Sequence, residues 1–249
     1  MKPEACRVMI SGAGGGIGRA LASRLQAKGW TVFAVGRDIE RLRDVPCAER
    51  VVADTSTPEG AKQAVQACSR IVGDGPLHLA HCVGSTLIAP LHRTSATQVR
   101  SVLSANLESA IFTLGAWLEV ARQMPVPGSA VLISSVVSRI GVANHEAIAA
   151  AKGGVEALAR SAAATYAAQG IRVNVVAPGL TETPMTAGLL HPAGAREAVA
   201  RQYPLGGVQT ADEVAGVMAW LLSDAAGRIT GQVIGVDGGF AEIRPVVRS

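Results

Sequence analysis

Short β-rich runs alternate with longer Ala-rich helical patterns along all 249 residues, and this rhythm limits the possible folds more than any other feature. Strands are expected at residues 7–10, 31–35, 50–53, 77–81, 130–134, 172–177 and 233–236. Helical patterns are expected at 17–28, 58–70, 95–123, 145–168 and 211–223. Such alternation calls for right-handed β-α-β crossovers, hence a parallel sheet covered by helices on both faces. The expected fold class is therefore α/β, a doubly wound parallel sheet of about seven strands in one domain over 1–249.

Composition fits that architecture. Hydrophobic residues make up 49% of the chain against 17% charged, enough for a large core, and with aromatics at 3% the core must rest on Ala, Val, Leu and Ile. Residues 184–204, with Gly188, Pro192 and Gly194, read as the one long irregular insertion, either a substrate loop over a pocket or a surface excursion. The net charge of +4 comes from scattered basic residues without a Lys/Arg run, which points away from a nucleic-acid partner. Cys6, Cys47, Cys68 and Cys82 form no C-x-x-C pair and have no companion His at metal-ligand spacing, so no metal is expected. Cys6 and Cys82 fall in apolar runs and read as reduced, buried thiols. Neither a signal-peptide pattern nor a membrane-length apolar stretch is visible, and a soluble, cytoplasmic protein is expected.

After the first strand comes Ser11-Gly12-Ala-Gly-Gly-Gly16-Ile17-Gly18. Gly12 allows a tight turn, Gly16 lets the backbone approach a pyrophosphate, and Gly18 lets the next helix pack closely on the sheet. The free N–H groups and positive dipole end of that helix then face the phosphates. Glycines also make ordinary turns; what points to a dinucleotide is the position of this one between a strand and a helix.

Further landmarks follow in order: Asp54 after the third strand, His81-Cys82-Val83-Gly84, Asn106, Ser135, Lys152, Pro178-Gly179 and Asp237-Gly238-Gly239. With the Gly12–Gly18 turn they make the chain resemble the short-chain dehydrogenase/reductase family over nearly its whole length. The resemblance implies a Rossmann-type sheet, a small-molecule substrate, and a homodimer or homotetramer with the helices around Asn106 and Lys152 at the interface. It also implies that Asp54 contacts adenine, that Ile17 and Gly84 border the cofactor, and that Thr183 reaches the nicotinamide side. His81 stands where the family usually has Asn and reads as structural. At the end of the second strand, Gly36 leaves room and Arg37 supplies a planar donor suited to a 2′-phosphate, which favours NADP(H) over NAD(H). Asp38 complicates that choice unless it merely begins the next helix.

In the family, a Tyr four residues before the Lys exchanges the substrate proton, Lys holds the nicotinamide ribose, Ser binds the substrate oxygen and Asn supports a water relay. Here Lys152 sets the register, Ser135 stands at the family's interval, and the Tyr position is Ile148. Isoleucine has no proton to give, and general acid–base assistance is typically worth about 10²–10⁴ in rate. Lys152 nonetheless stands in a chain whose other lysines are Lys2, Lys28 and Lys62, with Arg used elsewhere. Asn106 interrupts an apolar helical run for which Asn is a poor choice. His145 shares a helix face with positions 148 and 152 and can donate a proton near neutral pH. Its spacing to Lys152 is similar to the Tyr-to-Lys interval of the family's enoyl reductase branch, although the glycine turn follows the ordinary pattern. It reads equally as a helix-start or pocket-wall residue.

Tyr166 reads as packing. Tyr203 reads as packing with some reach toward a ligand, and Glu146 as a first-turn carboxylate. The sequence thus describes an oxidoreductase acting on a carbonyl or activated C=C, with Ser135, Lys152, Asn106 and His145 (or a water) at the chemical end. The alternative is a cofactor-binding sensor or partner subunit that has lost catalysis. A non-redox enzyme would have no use for the intact glycine turn.

Overall fold

The computed structural model describes residues 6–70 and 75–244. Its strands are β1 (Arg7–Ser11), β2 (Thr31–Gly36), β3 (Glu49–Val52), β4 (Leu77–His81), β5 (Ser129–Ile133), β6 (Arg172–Pro178), β7 (Thr181–Glu182), β8 (Gln209–Thr210) and β9 (Val233–Val236). Seven of them form one parallel sheet in the order β3-β2-β1-β4-β5-β6-β9, and β7 pairs with β8 in a separate short ribbon. The helices are α1 (Gly16–Ala27), α2 (Ile39–Leu42), α3 (Pro58–Arg70), α4 (Ala96–Leu103), α5 (Ser109–Ala121), α6 (Glu146–Tyr166), α7 (Ala187–Leu190), α8 (Ala195–Ala200) and α9 (Ala211–Leu222). Every strand and helical region expected from the alternation is found, with boundaries shifted by a residue or two.

Strand periodicity builds the two faces. Met9, Phe33, Val35, Leu79, Leu132 and Val175 point one way and pack under α3, α5 and α6. Val8, Ile10, Val32, Ala34, Val131 and Val176 point the other way and pack under α1 and α9. Both cores are aliphatic; the one large buried indole among the described residues, Trp117, donates from Nε1 to the Leu77 carbonyl at 2.9 Å. Cys6 and Cys82, expected to be buried, are only half-buried, because they lie just outside the two ends of the sheet, before β1 and after β4. No helix of the described residues is long and apolar enough to cross a membrane.

Strand order reverses between β1 and β4, so the loops leaving their C-terminal ends diverge and open a crevice. Two departures from the sequence reading matter there. The long helix expected over 95–123 is broken by a π-helical turn at Ser104–Glu108. Asn106 and Ser109 bond back to the Val102 and Ala105 carbonyls, which competes with the α-helical ladder. Residues 184–204 are also more regular than expected, because α7 and α8 form within them.

Candidate active site

A cleft of about 720 Å³ runs from the turn at Gly15–Gly18, past Gly84, Asn106, Ser135, His145 and Lys152, to Met185, Leu189 and Phe240. At its first end the glycines leave a cradle that a side chain would fill. Gly12 has φ +75°, and a Cβ there would lie 2.8 Å from the Cys82 carbonyl carbon. A Cβ on Gly18 would run into the Gly12 carbonyl oxygen, so α1 packs against the turn only because that atom is missing. Gly16 faces Thr183, whose Cγ2 would be 2.7 Å from an added Cβ, and this contact brings Thr183 over the turn. Gly15 at the start of α1 provides no side-chain cap, and the first turn contains no acidic residue. The free amides and dipole end of α1 are therefore available to an anion at the cleft wall. These features fit the diphosphate of a dinucleotide.

Arg37 and Asp54 lie together beyond the lining, on the loops after β2 and β3, with Nη1 of Arg37 3.8 Å from the Asp54 carboxylate. Burial pushes the Asp54 carboxyl up, but the Ser56 hydroxyl and amide, with Arg37, outweigh it and hold it below its ordinary value. The Asp38 carboxylate accepts from the Glu40 amide at 2.9 Å and caps α2, so it is engaged locally. Arg37 is the exposed cation, its side chain 75% accessible. Arg41, which sequence reading passed over, lines the cleft beside the glycine turn.

At the chemical end Lys152 is 6% exposed on α6. Its Nζ donates to the Ile133 carbonyl at 2.9 Å, and burial pushes its pKa down to about 8. Gly84 makes room for this group: a Cβ there would sit 3.3 Å from Lys152 Nζ and 2.8 Å from Asn106 Oδ1. The π turn aims Asn106 at that spot, where Oδ1 accepts from the Ser85 amide and Nδ2 donates to Ser85 Oγ and the Val102 carbonyl. Ser135, half-buried after β5, turns the chain into a short 3₁₀ segment, and the residue lines the cleft. His145 lies just before α6, and its Nδ1 donates to the Ala143 carbonyl at 2.7 Å, so Nε2 is the nitrogen that this bond leaves open.

Residues 12–241 match a family model described as enoyl-(acyl carrier protein) reductase. Cis-4-hydroxycyclohexanecarboxylate dehydrogenase of Sinomonas cyclohexanicum is 35% identical over 245 residues, covering 94% of this chain and 96% of the relative. A solved short-chain type dehydrogenase/reductase from Mycobacterium ulcerans superposes with a TM-score of 0.89 at 29% identity, covering 96% of this chain and 90% of that one. The chain belongs to the short-chain dehydrogenase/reductase family. Another structural relative, a gluconate 5-dehydrogenase from Burkholderia cenocepacia in complex with NADP and tartrate, is 26% identical with a TM-score of 0.88 and covers 97% of each chain.

Asn106, Ser135, Ile148 and Lys152 all line this one cleft. Ile148 is 4% exposed and packs with Val102 and Ala151, with Leu87, Leu107 and Val137 around them. It forms an apolar wall of the cleft between His145 and Lys152. His81 is clamped between Ser11 Oγ at 2.8 Å and Ser109 Oγ at 3.1 Å. Burial, with the nearby Lys152 charge, pushes its pKa down to about 3, so the imidazole is a neutral brace joining β1, β4 and the helix layer. Tyr166 packs against the core. Tyr203 is buried and lines the cleft while its hydroxyl accepts from the Leu180 amide at 2.7 Å.

Sequence reading also missed Glu156. This carboxylate is 7% exposed, one turn beyond Lys152 on α6, and accepts from both Ser134 Oγ and Ser138 Oγ. Ser134 and Ser138 bracket Ser135, and Ser138 is also within bonding reach of the Ser135 carbonyl. The signal was weak: an acid in an Ala-rich helix reads as a solvated face residue.

Proposed function

We propose that the protein is an NADP(H)-dependent oxidoreductase that exchanges hydride with a carbonyl or an activated C=C. The observation that carries this reading is the convergence of Ser135, Asn106, Lys152 and His145 on one cleft that begins at the glycine cradle. A bound nicotinamide supplies or accepts the hydride, so a ketone gains hydride at carbon and a proton at oxygen to become an alcohol, with the reverse in oxidation. Gly12, Gly16, Ile17 and Gly18 hold the diphosphate at the start of α1, Asp54 meets adenine, and Gly84 and Thr183 border the nicotinamide half. Arg37 binds the 2′-phosphate. Its exposure, the engagement of Asp38 in capping α2 and the NADP in the Burkholderia relative support that preference.

The Ser135 hydroxyl holds the substrate oxygen, and the Lys152 ammonium binds the ribose and, with Asn106, orders the proton path. Ile148 cannot take part, so the proton comes from His145 Nε2 or from a water. Replacing His145 with Gln should lower turnover about 100-fold or more while NADPH affinity stays unchanged. Unchanged turnover would assign the proton to water.

A second reading has its own support in the burial of Ile148 in an apolar cluster, where the family's phenol would stand. Under it the protein binds NADPH as a sensor or partner subunit without turnover. Tight binding, no reaction across carbonyl and enoyl panels, and activity gained in Ile148→Tyr would establish that reading.

A further inference from the structure

The two Lys or Arg side chains that line the cleft, Arg41 and Lys152, lie at the glycine turn and beside Asn106. Arg41 stands by the glycine turn, where an added Cβ on Gly14 would lie 2.8 Å from its carbonyl oxygen. Lys152 lies on the cleft floor, bonded to the Ile133 carbonyl. Beyond Ser135 the walls are Val137, Val142, Ile148, Met185, Leu189 and Phe240. No Asp, Glu, Lys or Arg lines that half among the described residues. Most of its polar groups are already engaged. The Tyr203 hydroxyl is bound to the Leu180 amide, Thr186 Oγ1 is occupied by the Thr181 and Thr183 backbone, and His145 Nδ1 is held by Ala143. Gln202 adds an amide, which carries no charge.

From this we infer that the part of the substrate beyond the reacting oxygen is uncharged and apolar, and that a carboxylate there is rejected. The inference rests on reading this cleft as the site of hydride exchange. Ser135 is the fixed polar anchor for the reacting oxygen, and the remaining surface is won by apolar burial. A carboxylate placed among these walls would lose its water without gaining a cation, which makes it a poor ligand despite equal shape.

The test uses a pair of nearly equal shape, 4-methylcyclohexanone and 4-oxocyclohexanecarboxylate, offered to the protein saturated with NADPH. Binding is read by ligand-observed NMR and turnover by NADPH absorbance. The neutral ketone should bind at least about 100-fold more tightly, a gap of about 2.7 kcal/mol. Leu189 is 41% exposed, so Leu189→Arg can be accommodated, and its added cation should narrow the gap by about tenfold or more. A preference for the carboxylate, binding of neither compound, or an unchanged ratio in L189R overturns the inference. Selective binding of the ketone without any turnover would leave the inference standing and remove the redox reading instead.

Discussion

Lys152 shows how one side chain connects burial to chemistry. The ammonium has few neighbours to replace its lost water: the Ile133 carbonyl accepts one hydrogen bond, and Asn106 and Gly84 border the rest. Desolvation pulls its pKa to about 8, so a charge that would persist beyond pH 10 in water is half lost near that value. NADPH affinity should therefore fall between pH 7 and pH 9, and Lys152→Met should bind weakly with a flat pH profile; fluorescence titration measures both. Glu156 governs stability rather than charge. Glu156→Leu removes the acceptor shared by the Ser134 and Ser138 hydroxyls and should cost about 1–3 kcal/mol in urea unfolding, with turnover reduced as Ser135 loosens. Glu156→Gln keeps an acceptor oxygen and should recover most of both.

Among the elements, the meeting of β1, its turn and α1 is the most exposed to a small change. An alanine methyl at position 18 would overlap the Gly12 carbonyl oxygen, so Gly18→Ala must push α1 off the turn. That displaces the amides facing the diphosphate, and the NADPH dissociation constant should rise about tenfold or more in calorimetry. The π turn is the second such element. A periodicity argument sees one amphipathic helix over 95–123, and it could not locate the break because that depends on Asn106 and Ser109 reaching back to carbonyls. The same limit applied at 184–204, where α7 and α8 form without a strong helical pattern in the chain.

For the whole molecule, acid is the expected weakness. His78 and His81 are buried, and burial lowers their pKa values to about 4 and about 3, in each case reinforced by a nearby cation, Arg172 or Lys152. Below the ordinary value of 6.5 the unfolded chain takes up protons at both imidazoles while the folded protein leaves them neutral. Stability therefore falls as pH drops from 6.5 toward 4, at about 1.4 kcal/mol per unit for each group. The urea midpoint should decline across that range. His81→Asn, which keeps a donor and an acceptor between Ser11 and Ser109, should lessen the slope.

The order of strands and helices along the chain, the aliphatic core and the parallel sheet were written in the chain, because backbone period and turn chemistry act over a few residues. The spacing of Gly12–Gly18, Asn106, Ser135 and Lys152 was also readable, since each position is fixed relative to a local element. Only the folded protein decided that Arg41 reaches the cleft, that Glu156 turns inward to Ser134 and Ser138, and that Ile148 closes an apolar wall beside Lys152. Those outcomes depend on which segments pack together and how much water they exclude. Desolvation and contact between distant residues have no signature in the linear order.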